Sequence, residues 1–137
     1  MPHDPELIAE ARAWLVKACQ DLAAAAHEFK AEPPFLADIV FHAQQAAEKT
    51  LKGFLTWHST PFRKTHNLEE LGEQCLGIDR SLVATIDLAV PLTKYSWKYR
   101  YPGELDEPAN AEAVDALSKS HGVFDAILLR LPPEVRP

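Results

Sequence analysis

Basic residues are the minority charge in this chain. Lys and Arg number 14 against 20 Asp and Glu, a formal net charge of -6 over 137 residues. Broad, nonspecific binding to nucleic acid runs on cations that neutralise phosphates, so this balance excludes that mode and leaves only a local basic cleft. Cysteine is scarce too. Cys19 and Cys75 are the two present, each inside an apolar helical pattern and without Cys-x-x-Cys spacing. They read as reduced core thiols rather than a disulfide. Only five glycines occur among abundant alanines, and no apolar/polar alternation is visible, which excludes a strand-rich fold. No apolar run approaches the ~20 residues that span a membrane. The start, Met1-Pro2-His3-Asp4-Pro5, lacks the basic and apolar regions of a signal peptide, so a cytoplasmic location is expected. His3, His27, His42, His58, His66 and His121 are scattered, with no ligand-spaced pair backed by Asp or Glu. No metal site is expected. Neither a Gly-rich phosphate loop nor a nucleophile elbow occurs, and no cofactor is expected.

What is present is helical periodicity. Hydrophobic residues make up 47% of the chain, enough for a packed core in one domain spanning 1–137. Leu7, Ala11, Trp14, Ala18, Leu22, Ala25 and Phe29 keep a helical period, predicting a first helix from Pro5 to Lys30 with Asp4 as N-cap. Glu32-Pro33-Pro34 breaks it. A second helix is predicted from Phe35 to His58, antiparallel to the first because the link is short. A basic loop with Arg63, Lys64 and His66 leads to a short third helix, Leu68 to Leu76, capped by Asn67 or Thr65 and ended by Gly77. A fourth helix, Arg80 to Lys98 with Asp79 as cap, carries Pro91, which should bend or split it. A fifth runs from Ala109 to Leu131, where Pro132-Pro133 stops it. The tail at about 132–137 is expected to fray. The architecture is all-α, an up-and-down bundle of four long helices plus a short one.

The second helix has two edges. Ile39, Val40, Ala43, Ala47, Leu51, Phe54 and Leu55 form an apolar stripe, while His42, Gln45, Lys49 and Lys52 step along a polar one. Two lysines, an amide and an imidazole in line, with a His and an Arg downstream, suit a phosphate or another acidic ligand.

These pieces carry a resemblance. Trp14 with Asp21-Leu22, then Gln44-Gln45-Ala46-Ala47-Glu48-Lys49, Lys52, Thr65-His66-Asn67-Leu68 and Arg100-Tyr101-Pro102 occur in an order and spacing that resemble the HEPN family. Each piece alone is weak; together they are specific, from about Ala13 to Pro102. The resemblance implies the same all-α bundle and a pocket near the loops before helix three and after helix four. In the family's ribonuclease branches an Arg is followed by a His in an R-x4-6-H motif. Here Arg100 is followed by Tyr101-Pro102-Gly103-Glu104-Leu105-Asp106-Glu107, with no His, so the nuclease motif is incomplete. In some family toxins a tyrosine just beyond that His is nucleotidylated by a partner, and neither Tyr99 nor Tyr101 matches that position. The resemblance also implies homodimers and pairing with a minimal nucleotidyltransferase in toxin-antitoxin-like modules.

Lys49, Lys52, His66, Arg100, Tyr99 and Tyr101 are therefore the candidate ligand-binding residues, expected to approach a common cleft. No catalytic residue is assigned, Arg100 and His66 being the candidates. Each has a plain alternative. Arg100 can cap helix four or pair with Glu104. His66 can order the start of helix three. Lys49 and Lys52 can be a solvated edge beside Glu48, and Lys94 and Lys98 can serve their helix end or extend a basic lip. Tyr95, Trp97, Tyr99 and Tyr101 can stack on a base, plug the bundle or meet a second copy. Ile8, Leu15, Phe41, Trp57 and Val123 lie beyond the narrow apolar stripes and suggest a symmetric homodimer. Three functions stay open: a nucleotide- or RNA-binding module, with no DNA and no membrane involved; a metal-independent ribonuclease with a rearranged Arg/His site; and a structural oligomer.

Overall fold

The computed structural model describes residues 3–103 and 106–137. Among them five α-helices pack around one apolar cluster, and no strand occurs. Helix α1 (Pro5–Phe29) starts where the Asp4 side chain accepts from the Glu6 amide at 3.0 Å, with Pro5 in the first turn. Ala11, Leu15, Ala18, Leu22 and Ala25 form its buried stripe. Helix α2 (Leu36–Trp57) is the central element, packed along α1 on one side and α5 on another. Alanines at 43, 46 and 47 let its neighbours approach closely, and it is buried on most of its circumference.

Helix α3 (Leu68–Ile78) is capped by Asn67, whose side chain accepts from the Glu69 and Glu70 amides. Gly77 was expected to stop this helix but lies within it. Asp79 stops it instead, because its extended backbone leaves the helix while its side chain accepts from Ser81 and starts the next turn. The expected fourth long helix is a composite. A 3₁₀ turn (Arg80–Leu82) leads into α4 (Val83–Ala89), and a 3₁₀ stretch (Val90–Ser96) continues it. Pro91 has no amide hydrogen and breaks the α ladder, so the chain proceeds at the tighter pitch. Tyr99 then takes a positive φ of 70°, which turns the chain off the bundle axis.

Helix α5 (Asn110–Leu128) ends before Leu131. The tail at 132–137 is not frayed. It forms a 3₁₀ turn (Pro133–Val135) in which Val135 is fully buried. Arg12 Nη1 donates to the Arg136 carbonyl at 3.0 Å, and the Arg136 guanidinium donates to the Leu131 carbonyl. Leu131 and Val135 recur four residues apart and both face the core, which pins the segment on α1.

The apolar surplus expected to drive a dimer is largely used inside one chain. Leu15 and Val123 are fully buried, and Ile8 and Trp57 pack against the core. Among the described residues the exposed large apolar side chains are Phe35, Ile78, Val83, Trp97, Tyr101, Val114 and Leu129. Cys19 and Cys75 are free thiols, and burial pushes Cys75 up to about 12.

Candidate functional site

The polar groups of α2 are organised by two carboxylates buried between helices. Asp21 of α1 sits in the buried stripe beside Ala18, Leu22 and Ala25. His42 Nδ1 donates to its Oδ1 at 2.9 Å, and Lys49 Nζ to its Oδ2 at 2.6 Å. His42 and Lys49 are seven residues apart, so two helical turns bring them to the same edge of α2. His42 Nε2 lies 3.3 Å from Glu28 Oε1. Burial raises the Glu28 carboxyl above its ordinary value despite the pull of His42, and its other oxygen is buried with no hydrogen-bond partner among the described residues.

Glu48 is the second carboxylate, 3% exposed. Gln44 Nε2 donates to it at 3.1 Å and Lys52 Nζ at 3.0 Å, one turn before and one turn after it on the same helix. His66 Nδ1 meets it at 2.7 Å from the loop before α3. Gln44 Nε2 also lies 3.4 Å from the His66 carbonyl, and Gln45 donates to Gln44 at 2.7 Å. The Lys52 ammonium sits 5.4 Å from the Trp14 ring centroid and 5.7 Å from that of Phe62. Lys52 is thus largely buried, with two aromatic rings and a carboxylate around its ammonium.

His66 itself is open: its side chain is 66% exposed. A carboxylate only accepts, so Nδ1 donates to Glu48 and the ring is held in one orientation. No hydrogen bond to Nε2 occurs among the described residues.

Arg100 takes a different support. Its guanidinium carbon lies 3.6 Å from the centroid of the Phe41 ring. The residue as a whole is exposed. The turn at Tyr99 delivers it, and that turn is anchored by the Tyr99 hydroxyl, which lies 3.2 Å from both Glu112 oxygens. Phe41 precedes Glu48 by seven residues, so the supports of Arg100 and His66 share one face of α2 about 10 Å apart. The alternative pairing of Arg100 with Glu104 lies outside the described residues.

The six candidates therefore fall into groups. Lys52 and His66 converge on Glu48. Lys49 is joined to Asp21, and Arg100 lies over Phe41. Tyr99 stacks near Tyr95, whose hydroxyl donates to Glu112 at 2.6 Å, and burial raises the Tyr95 phenol. Tyr101 is exposed. Reading residue types alone found the cations and missed the carboxylates that place them. Two signals were available: an Asp inside an apolar stripe, and a Glu flanked at i−4 and i+4 by Gln and Lys.

Among the described residues no group of three or more His, Cys, Asp or Glu could hold a metal ion, and no helix is long and apolar enough to cross a membrane. No curated protein and no solved structure gives a significant match to the chain. The family model of the HEPN domain matches residues 11–131, nearly the whole of it, so the chain belongs to the HEPN family and is in general terms a nucleotide- or RNA-related module.

Proposed function

We propose that this HEPN domain binds a nucleotide or an RNA segment along the face of α2 between His66 and Arg100. It does so as a cytoplasmic homodimer that partners a minimal nucleotidyltransferase in a toxin-antitoxin-like module. The observation that carries this reading is a pair of exposed cationic or imidazole groups supported from one face of α2. His66 is held by buried Glu48, and the Arg100 guanidinium lies over Phe41. A guanidinium so placed can hold a phosphate through two hydrogen bonds. Lys52 acts on the same site by neutralising Glu48, Lys49 does so by neutralising Asp21, and Tyr99 and Tyr101 flank Arg100.

Fluorescence anisotropy with a labelled short single-stranded RNA tests the reading. Arg100→Ala should weaken binding by about tenfold or more, the size of a charged hydrogen-bonded contact, and more than Lys52→Met does. Arg100 is exposed, so the variant should keep its helical circular dichroism. Equal affinity of wild type and Arg100→Ala would remove the reading.

The ribonuclease reading has one observation in its favour. The Glu48–His66 pair orients an imidazole as a general base is oriented elsewhere. Against it stands the sequence after Arg100, which offers no His at the offset of the family's nuclease motif. Of the acidic residues after Arg100, the described Asp106 and Glu107 are exposed, and carboxylates would repel the scissile phosphate. Purified protein is therefore expected to leave labelled RNA intact. Robust cleavage lost in both Arg100→Ala and His66→Ala, with both variants folded, would replace binding by catalysis.

A further inference from the structure

We infer that the hollow beside His66 is a base-reading subsite for a guanine nucleotide, which rests on the nucleotide reading of this domain and gives it a substrate class. The hollow has a volume of about 440 Å³, and its walls are the start of α3 and the 3₁₀ stretch that follows α4. Asn67 and Glu69 stand on one wall, and Pro91, Thr93, Lys94 and Trp97 on the other. The walls are tied together, because the Leu68 amide donates to Thr93 Oγ1 at 3.2 Å. Asn67 fixes the α3 rim by accepting from the Glu69 and Glu70 amides. The hollow is a shallow, open depression whose two walls are fixed relative to each other by the bond from Leu68 to Thr93.

Three groups around it are open to solvent, Trp97, Glu69 and Lys94, the last with its ammonium 5.3 Å from the Tyr95 ring centroid. The Trp97 indole is 55% exposed, an unusual place for so large an apolar surface. The Glu69 carboxylate has no hydrogen bond or ion pair among the described residues, and the Lys94 ammonium has no carboxylate partner there. A carboxylate and an ammonium lining one hollow without pairing to each other match a ligand that is itself two-ended. A nucleotide has the three complementary parts: a flat π face for Trp97, a donor edge for Glu69 and a phosphate for Lys94. The hollow beside exposed Phe35 has no cation, only Asp38 and Glu107, and would repel an anion.

The carboxylate selects the base. Guanine presents N1–H and the 2-amino group side by side, two donors that the two oxygens of Glu69 accept together. Adenine and cytosine present one amino donor beside a ring nitrogen whose lone pair would face the carboxylate. Uracil flanks its N–H with two carbonyls, which are repelled. His66 directly precedes Asn67, so a guanine seated here continues into the face proposed for RNA.

Calorimetric titration of the full chain with GMP, IMP, AMP and UMP tests the subsite. GMP should bind about tenfold tighter than IMP, which lacks the 2-amino group, and tighter still than UMP. Glu69→Gln should erase the preference of GMP over IMP. Trp97→Ala should weaken GMP by about tenfold or more while Trp97→Phe retains most of the affinity. Lys94→Ala should weaken GMP and leave guanosine unchanged. Equal affinity for GMP and UMP, or a change under twofold in Trp97→Ala, would overturn the subsite. If RNA binds and depends on Arg100 while GMP does not bind, the subsite alone falls. If GMP binds through Trp97 and Glu69 but RNA is indifferent to Arg100→Ala, the α2 face falls and the subsite stands.

Discussion

At the scale of single residues, the chemistry of this domain is set by buried carboxylates more than by the cations that the sequence displays. Glu48 has three donors, and removing Lys52 leaves it with two neutral-capable ones in an enclosed place. Breaking a buried pair from one side costs about 3–5 kcal/mol. Lys52→Ala should therefore lower the urea-unfolding free energy by about that amount. A loss under 1 kcal/mol would mean that water reaches Glu48 and that the pair is a surface one. Glu28 makes a second, signed prediction. Burial raises its folded-state carboxyl above the ordinary value near 4.5. Between those two values the folded chain holds a proton that the unfolded chain has released, so this group's contribution to stability falls as pH rises through the window. Glu28→Gln removes that slope. The stability of wild type relative to the variant should drop between pH 4.5 and pH 6.5, measured by urea midpoints at both, and a rise would contradict the sign. His42, Lys49, Lys52, His66 and Arg100 were all legible as residue types. Glu48, four residues before Lys52 on the same helix, was legible as its neighbour. The partners of His42, Lys49, His66 and Arg100 were not, because each pairing joins α2 to another helix or to a loop distant in sequence.

At the scale of elements, two glycines in one helix have opposite roles. Gly72 faces α4, where an added Cβ would stand 2.5 Å from Ile86 Cγ2. Ile86 is itself 5% exposed and has little room to move. Gly72→Ala gains about 0.5–1 kcal/mol of helix propensity and forfeits about 1–3 kcal/mol to overpacking, so net destabilisation is expected. Gly77 lies in the same helix with nothing within 4 Å of its Cβ position and no positive φ. Gly77→Ala should stabilise the domain by about 0.4–1 kcal/mol. Thermal unfolding of the two variants should therefore shift the melting temperature in opposite directions. The reading of Gly77 as a helix stop failed because glycine ends a helix only where the left-handed conformation is used, and here the following Asp79 performs the stop. Pro91 was read correctly as an interruption. That the chain resumes as a 3₁₀ stretch depends on its docking to α2 and α3, which no local rule supplies.

At the scale of the whole molecule, the proposed homodimer needs apolar surface left over after folding. That surface is not the set of residues the periodicity nominated, since Leu15 and Val123 are inside. It would have to draw on Val83, Val114 and Leu129, which are exposed. Light scattering at micromolar concentration should give the mass of two chains, and a monomer mass alone would count against the dimer. The all-α class, the order of the helices and most of their boundaries were determined by the sequence itself. Helical period, caps and prolines are local signals, each settled within a turn or two of chain. Tertiary structure decided the rest. Val135 is held in place by the groove it fills against α1 rather than by its own propensity. Glu48 becomes a hub because the loop carrying His66 folds back over α2. Arg100 lies over Phe41 because Tyr99 is fastened to Glu112 on another helix. In each case the deciding energy is burial or pairing between residues distant in sequence, and it exists only once the helices have packed.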